Sequence, residues 1–322
     1  MRGCYTSYGA EAMNWRCNGL RLGVVATILI GCLAASPARF LVKQQSVAPE
    51  QDAGELVRAA VANEVASANN STKHLFRSRK QKPGVTQTRL YVQTTDAMAG
   101  MLIAIDDKPI SAEQMAGELA HLQHLIDNPD DLRRKQKQER EDAGRTLRIM
   151  QALPYAFLYE YEGEEPSQPD IGKREDELVR LKFRPNPRYS PPSREEQVLT
   201  GMEGHLLIDR RATRLAKIDA ALFRDVSFGW GILGHLDKGG NFTVCQADVG
   251  DGSWEITRMQ LAFTGKILLV KSVAFKQDEV LSGFRRVPDD TTFAKGVELL
   301  KSEAAAMQKA PAVNADASSQ RQ

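Results

Sequence analysis

The body of this chain has almost no cysteine. Of four cysteines in 322 residues, Cys4, Cys17 and Cys32 fall in the first 32 and only Cys245 lies beyond them. No disulfide can close within the body, and no Cys-x-x-Cys or mixed Cys/His spacing for zinc exists. Cys245 sits in the strand-like run Asn-Phe-Thr-Val-Cys-Gln and reads as a small core residue rather than a reactive thiol. Charge of one sign is lacking too. Lys+Arg is 43 against Asp+Glu 41, so no field of one sign points to nucleic acid. The ordinary balance of apolar and charged residues argues against a multi-span membrane protein and against wholesale disorder. Hydrophobic residues at 42% and charged residues at 26% are those of a globular chain of one large or two ordinary domains.

Catalytic motifs are absent as well. No serine is embedded as Gly-x-Ser-x-Gly, no HExxH order occurs, and no Lys-Ser/Thr follows Gly229-Trp230-Gly231 or Gly239-Gly240 as a phosphate loop requires. Glu118-x-x-His121-x-x-His124 places possible metal ligands on neighbouring turns of a helix. The apolar residues lie on its other face, so it reads better as a solvated face. Glu164-Glu165 and Asp289-Asp290 lie beside prolines and read as solvated loop charges. No enzyme, metal or cofactor is therefore expected.

The N-terminus carries an address. Arg16 and Arg21 precede an uncharged stretch, Leu22 to Ala35, of about 14 residues, which is short for a membrane span and suits a signal h-region. Met13 offers a second start. Two cleavages compete. Leu29-Ile30-Gly31-Cys32 has the form of a lipobox with Cys32 as the lipidated residue, and Ser36-Pro37-Ala38 offers small residues before a cut at Arg39. An uncleaved anchor is the third outcome. All three make residues 1–38 a targeting segment and put the body in the periplasm or on a membrane of the cell envelope, with membrane contact only through the signal or lipid.

Beyond the address, the pattern is α+β. Pro49 to Ala68 has helical spacing. Strand-like runs follow at Leu75 to Lys80, Thr86 to Gln93 and Met98 to Ile105. Ser111 and Gln114 form a capping box for a helix that Asn128-Pro129 ends, and a second, densely charged helix runs from about Asp130 to Ala152. From Tyr155 the period becomes two. Turn signals every dozen or so residues then mark an antiparallel meander, with Thr264-Gly265 as one turn and a bulge near Thr257-Arg258. Pro185 to Ser193 holds four prolines and reads as a loop. Thr291 to Met307 returns to helix with Phe293, Val297 and Leu300 on one face, and 309–322 reads as a disordered tail. The expectation is a single domain over 49–308 with an inserted helical pair at about 111–152.

Two stretches bear on function. Asp131 to Arg148 holds seven cations and four carboxylates, a mixture that mostly cancels and reads as a solvated helix. Phe228-Gly229-Trp230-Gly231-Ile232-Leu233-Gly234-His235 sets large apolar groups between glycines. It is either a tight strand corner or, through Phe228, Trp230, Ile232 and Leu233, the wall of an apolar cavity.

Leu178 to Pro187, Val226 to Leu236 and Thr291 to Leu300 resemble a group of exported bacterial proteins, notably from acidobacteria, for which no activity is known. In element order the chain is similar to the outer-membrane lipoprotein-sorting superfamily (LolA/LolB-like). That resemblance implies a strongly curved antiparallel sheet, a half-open barrel, with N-terminal, inserted and C-terminal helices plugging its concave face. It also implies a non-catalytic envelope protein that binds a lipid or lipoprotein acyl chain. The alternative is an envelope assembly component that works through a protein partner, and an enzyme is a third reading. Mass spectrometry of the mature protein should find a processed N-terminus, either an acylated Cys32 or a chain beginning near Arg39. An intact Met1 in the cytosol would defeat the export reading.

Overall fold

The computed structural model describes residues 49–68, 72–228, 234–267 and 271–309. The targeting segment with Cys32, the corner residues Trp230, Ile232 and Leu233, and residues 310–322 lie outside the described residues. Helix α1 (Pro49–Ala68) buries Ala53, Val57, Ala60, Val61 and Glu64, which recur every three or four residues. Strands β1 (Lys73–Lys82), β2 (Val85–Val92), β3 (Ala99–Ile105) and the two-residue β4 (Lys108–Pro109) form a meander. Helix α2 (Ala112–Asp127) starts on the expected capping box, in which Gln114 N donates to Ser111 Oγ and Ser111 N to Gln114 Oε1. Helix α3 (Pro129–Ala156) follows after one residue. Then come β5 (Phe157–Pro166), β6 (Glu177–Pro185), the short α4 (Arg194–Gln197), β7 (Met202–Asp209), β8 (Arg214–Leu222), β9 (Val226–Phe228), β10 (Gly234–Leu236), β11 (Asn241–Asp248), β12 (Trp254–Ile267), β13 (Lys271–Val287) and α5 (Phe293–Lys309).

The strands make one antiparallel sheet in the order β4-β3-β2-β1-β13-β12-β11-β8-β7-β6-β5, with β9 and β10 attached to β12. It is open, curved and α+β, as the sequence predicts. Its helices are arranged differently from the expectation. One transverse row of paired residues reads Lys80, Glu279, Met259, Val244, Ile218, Leu206, Leu181 and Tyr161. Directly paired residues share a face, and Leu206 and Leu181 of that row pack under α1. On β1 the opposite parity carries Leu75, which joins Leu90, Val92 and Met101 beneath α5 and α2. So α1 covers one face at the β5–β8 end, and α2 and α5 cover the other face at the β1–β3 end.

The inserted pair is a strut. The chain leaves the sheet at β4, one end of the strand order, and re-enters at β5, the other end. Helix α3 has 28 residues, about 42 Å at the rise of an α-helix. Leu132 packs into the α5 core, while Ile149, Met150 and Leu153 pack into the α1 core. Between 133 and 148 only Ala143 and Thr146 are buried. The helix continues past Ala152 through Pro154 to Ala156, and the hydroxyl of Tyr159 donates to Leu153 O at 2.7 Å. Tyr155, expected at the start of a strand, is on its outer surface.

One further boundary differs from the sequence reading. Thr264-Gly265 is not a turn: β12 runs through it. A Cβ on Gly265 would lie 2.1 Å from His235 O, so this glycine lets β10 approach. Strand β13 reaches Val287, with Gln277 and Glu279 buried along it. The bulge falls where expected, with Cys245 opposite Arg258 and Gln246 opposite Ile256, leaving Thr257 as the extra residue.

Helix α1 is pinned by charge. Glu64, 5% exposed, takes two bonds from Arg214 at 2.7 and 2.8 Å and a third from Leu215 N at 3.0 Å. Glu64→Ala leaves Arg214 uncompensated, and removing one partner of a buried pair costs about 3–5 kcal/mol. Urea unfolding should show a loss of that order. A loss below about 1 kcal/mol, the scale of an exposed pair, would mean that this network does not hold α1.

Candidate functional site

Charge on α3 is sorted by the fold. Asp131, Glu139 and Asp142 turn inward, with side chains 29%, 19% and 14% exposed, whereas Arg133, Arg134 and Lys137 are 68%, 79% and 79% exposed. Each inward carboxylate has work there. Asp131 accepts from His124 Nε2 at 2.8 Å and pairs with Arg134. These bonds, led by that of His124, hold its carboxyl below the ordinary value. Glu139 accepts from Lys135 at 2.6 Å and from Met98 N at 2.9 Å, beside β3. Asp142 pairs with Arg145. What remains outward is cationic. Arg133, Arg134, Lys137, Arg140 and Arg148 are exposed, against Asp130 and Glu141. Arg133, Lys137, Arg140, Gly144 and Arg148 follow one another along one side and, with Glu141 as the one carboxylate among the lining residues, line an open groove of ≈ 520 Å³. No large apolar side chain is exposed between 130 and 148.

Beneath the last turns of α3 lies the second candidate. Ile149, Met150 and Leu153 close over Phe157, Phe183 and Met202 around a cavity of ≈ 40 Å³. Its lining is apolar side chains together with Tyr159, whose hydroxyl is engaged by Leu153 O. Pockets that hold a drug-sized ligand begin at about 300 Å³, so the closed cavity has no room for an acyl chain.

Of the residues singled out in the sequence, the described ones outside α3 do not come together. The backbone of Phe228 ends β9, opposite Gly234, and its corner partners lie outside the described residues. Glu118 is not grouped with His121 and His124 as a metal site: its Oε2 accepts from Leu102 N at 2.8 Å and from Arg89 at 3.4 Å. His205 faces Glu162, and His235 faces Asp237. Among the described residues no group of three His, Cys, Asp or Glu is placed to hold a metal. Cys245 is buried, and burial raises its thiol.

Sequence reasoning missed His74. It is 1% exposed, with Nδ1 3.0 Å from Glu255 Oε1 and Nε2 2.9 Å from Asp251 Oδ2. Only the doubly protonated ring satisfies both carboxylates. Burial lowers its pKa, but the bonds to Glu255 and Asp251 outweigh burial and leave it raised. With both nitrogens engaged and the ring enclosed, it ties β1 to β12 and has no free nitrogen for a substrate. A lone histidine in Thr-Lys-His-Leu gave no signal, since its partners are 177 and 181 residues away.

No family model matches the chain, and no curated protein matches it. Among solved structures, a DUF1329 family protein from Desulfovibrio piger aligns with a TM-score of 0.26 at 10% identity, over 74% of this chain and 94% of that one. MucB in complex with MucA(peri) aligns at 0.21 and 9% identity, over 77% and 97%. The MucA/MucB complex of Pseudomonas aeruginosa gives 0.21 at 8%, over the same shares. Scores this low settle neither fold nor function, which rest here on the chain's own geometry.

The His74 cluster makes stability depend on pH. Because the folded pKa of His74 is raised, its contribution is complete below 6.5 and fades as pH rises through the folded value. Burial raises the Asp251 carboxyl, but the bonds from His74 and Ser253 leave it lowered, so its contribution is complete above 3.8 and fades as pH falls through the folded value. Urea midpoints should fall as pH rises above 6.5, and His74→Phe should flatten that slope. An unchanged slope in the variant would remove His74 as its source.

Proposed function

We propose that the protein is an exported, non-catalytic component of the cell envelope that acts by binding, and that it binds an acidic segment of a partner protein along the cationic side of α3. Export rests on the uncharged run Leu22 to Ala35 and on Cys32 or Arg39 as the processed end. The observation that carries the binding reading is the sorting of charge on α3: three carboxylates turned in, and five cations turned out against two carboxylates. A cationic surface steers an acidic partner and sets its register. The same stretch exposes no large apolar group, and a helix that inserts into a membrane surface needs an apolar face. Protein therefore suits this surface better than lipid. Enzymatic chemistry gains no support from any constellation among the described residues.

A second reading has its own observation. The apolar cavity beneath Ile149, Met150 and Leu153 offers an acyl chain the right chemistry in too little space. A hydrophobic ligand would have to displace the end of α3, where Pro154 already removes one helical donor.

One set of variants separates the two. Arg133→Glu, Lys137→Glu, Arg140→Glu and Arg148→Glu combined change exposed residues, and loss of the exposed Arg133–Asp130 and Lys137–Glu141 pairs should cost no more than about 1–2 kcal/mol in unfolding. Wild type should bind a poly-glutamate peptide with an affinity that falls as salt rises, and the combined variant should lose at least about tenfold. Equal peptide binding by both proteins would sink the cationic-face reading. Uptake of a fluorescent fatty acid without peptide binding would favour the cavity instead.

A further inference from the structure

Each end of this sheet is protected. At β3 the carboxylates of Glu118 and Glu139 take the amides of Leu102 and Met98. At β5 the edge carries Glu160, Glu162, Glu164 and Glu165, a register shift between Tyr161 and Gly163, and a terminal Pro166. Charges, bulges and proline are the devices that stop an edge from recruiting another strand. A third edge has less protection. Strand β1 pairs with β13 only as far as Gln81 opposite Asp278, so residues 271–277 of β13 have a partner on the β12 side alone among the described residues. The register with β12 runs unbroken there, from Arg258 opposite Val280 to Ile267 opposite Lys271. No bulge, proline or carboxylate interrupts Ser272 to Gln277.

The two faces of this arm differ in chemistry. Val273, Phe275 and Gln277 lie on the face that α1 covers further along, because Gln277 is in a row with Leu261, Phe242 and Ala220, and Phe275 is opposite Phe263. Ala220, Phe242 and Phe263 belong to the α1 core. The apolar face therefore runs out of the core to Phe275, which is 44% exposed. The other face carries Ser272, Ala274 and Lys276, all exposed, with Lys266 opposite Ser272 on β12. Neither lysine has an ion-pair partner among the described residues.

We infer that the free edge of β13 accepts an added strand from a partner protein, in which apolar residues alternate with carboxylates. The unspent backbone groups require an extended chain. Phe275 and Val273 select apolar residues on one side of it, and Lys276 and Lys266 select carboxylates on the other. The site is separate from the cationic side of α3, and either can fail alone.

The test is hydrogen exchange on the full chain with two extended peptides, one alternating valine with glutamate and one alternating valine with lysine. The valine–glutamate peptide should slow exchange across 272–277 by about tenfold, and the valine–lysine peptide should not. Lys266→Glu with Lys276→Glu should reverse that preference, and Phe275→Ser should weaken protection while exchange at the β11–β12 pairing stays unchanged. The α3 charge reversals should leave the protection intact. Unchanged exchange at 272–277 with the valine–glutamate peptide overturns the inference. So does protection that grows with protein concentration alone, since the edge would then be pairing with a second copy of this chain.

Discussion

Neighbouring strands in a sheet are rotated by roughly 20–25°, so eleven in succession turn through an angle on the order of 200°. A sheet turned that far has no single inside. The face that meets α1 at β5–β8 is the one that points away from α2 and α5 at β1–β3. Among the described residues two large apolar cores follow, one on each face, with a smaller cluster of Leu178, Leu207 and Ala216 on the side of β6–β8 away from α1. Neither core can hold both ends of the chain together, and α3 does so instead, with Leu132 in one core and Leu153 in the other. Its middle needs no apolar face because it lies between two cores.

Between the cores the sheet must still be satisfied, and here polar groups replace apolar ones. Glu279 takes Ser78 Oγ at 2.5 Å, Gln277 Nε2 at 2.9 Å and Lys80 at 3.0 Å. His74 spans from β1 to Glu255 and Asp251, and the rings of Phe76, Tyr91 and Phe284 stack beside it. Such networks hold when every member is paired and cost several kcal/mol when one is removed. Between β12 and β13 it is Asp278 that fixes register, accepting from Arg258 at 2.7 Å and from Gln260 at 2.8 Å.

What the sequence revealed, and what it hid, follows from distance along the chain. The α1 stripe, the Ser111–Gln114 box, the extra residue at Thr257 and the Phe293, Val297, Leu300 face are each set by residues a few positions apart. Strand β13 past Phe275 looks charged and aperiodic because its buried residues, Gln277 and Glu279, are satisfied by β1 and by each other. Gly265 has the look of a turn, but its smallness serves a strand that precedes it by about thirty residues. The mixture of charge on α3 reads as self-cancelling because direction is lost in a count.

That last failure has a general cause here. Carboxylates in this protein are spent on backbone amides: Glu64 on Leu215, Glu118 on Leu102, Glu139 on Met98, Asp96 on Phe293, and Asp209 on Lys173, Arg211 and Ala212. A carboxylate accepts, and an ammonium or guanidinium cannot, so among charged side chains only the acids can satisfy the amides left over at strand edges and helix starts. On α3 the acids Asp131, Glu139 and Asp142 are therefore drawn toward the framework and five cations are left outside. A chain with formal net charge +2 then presents surfaces far more positive than its sum. Arg133 to Arg148 stand outward on the strut for the same reason that the β3 edge beside it is closed, whereas Lys266 and Lys276 stand on the arm beside an edge that is open. The direction of charge on α3 is set by where its backbone neighbours need acceptors, and net charge says little about it.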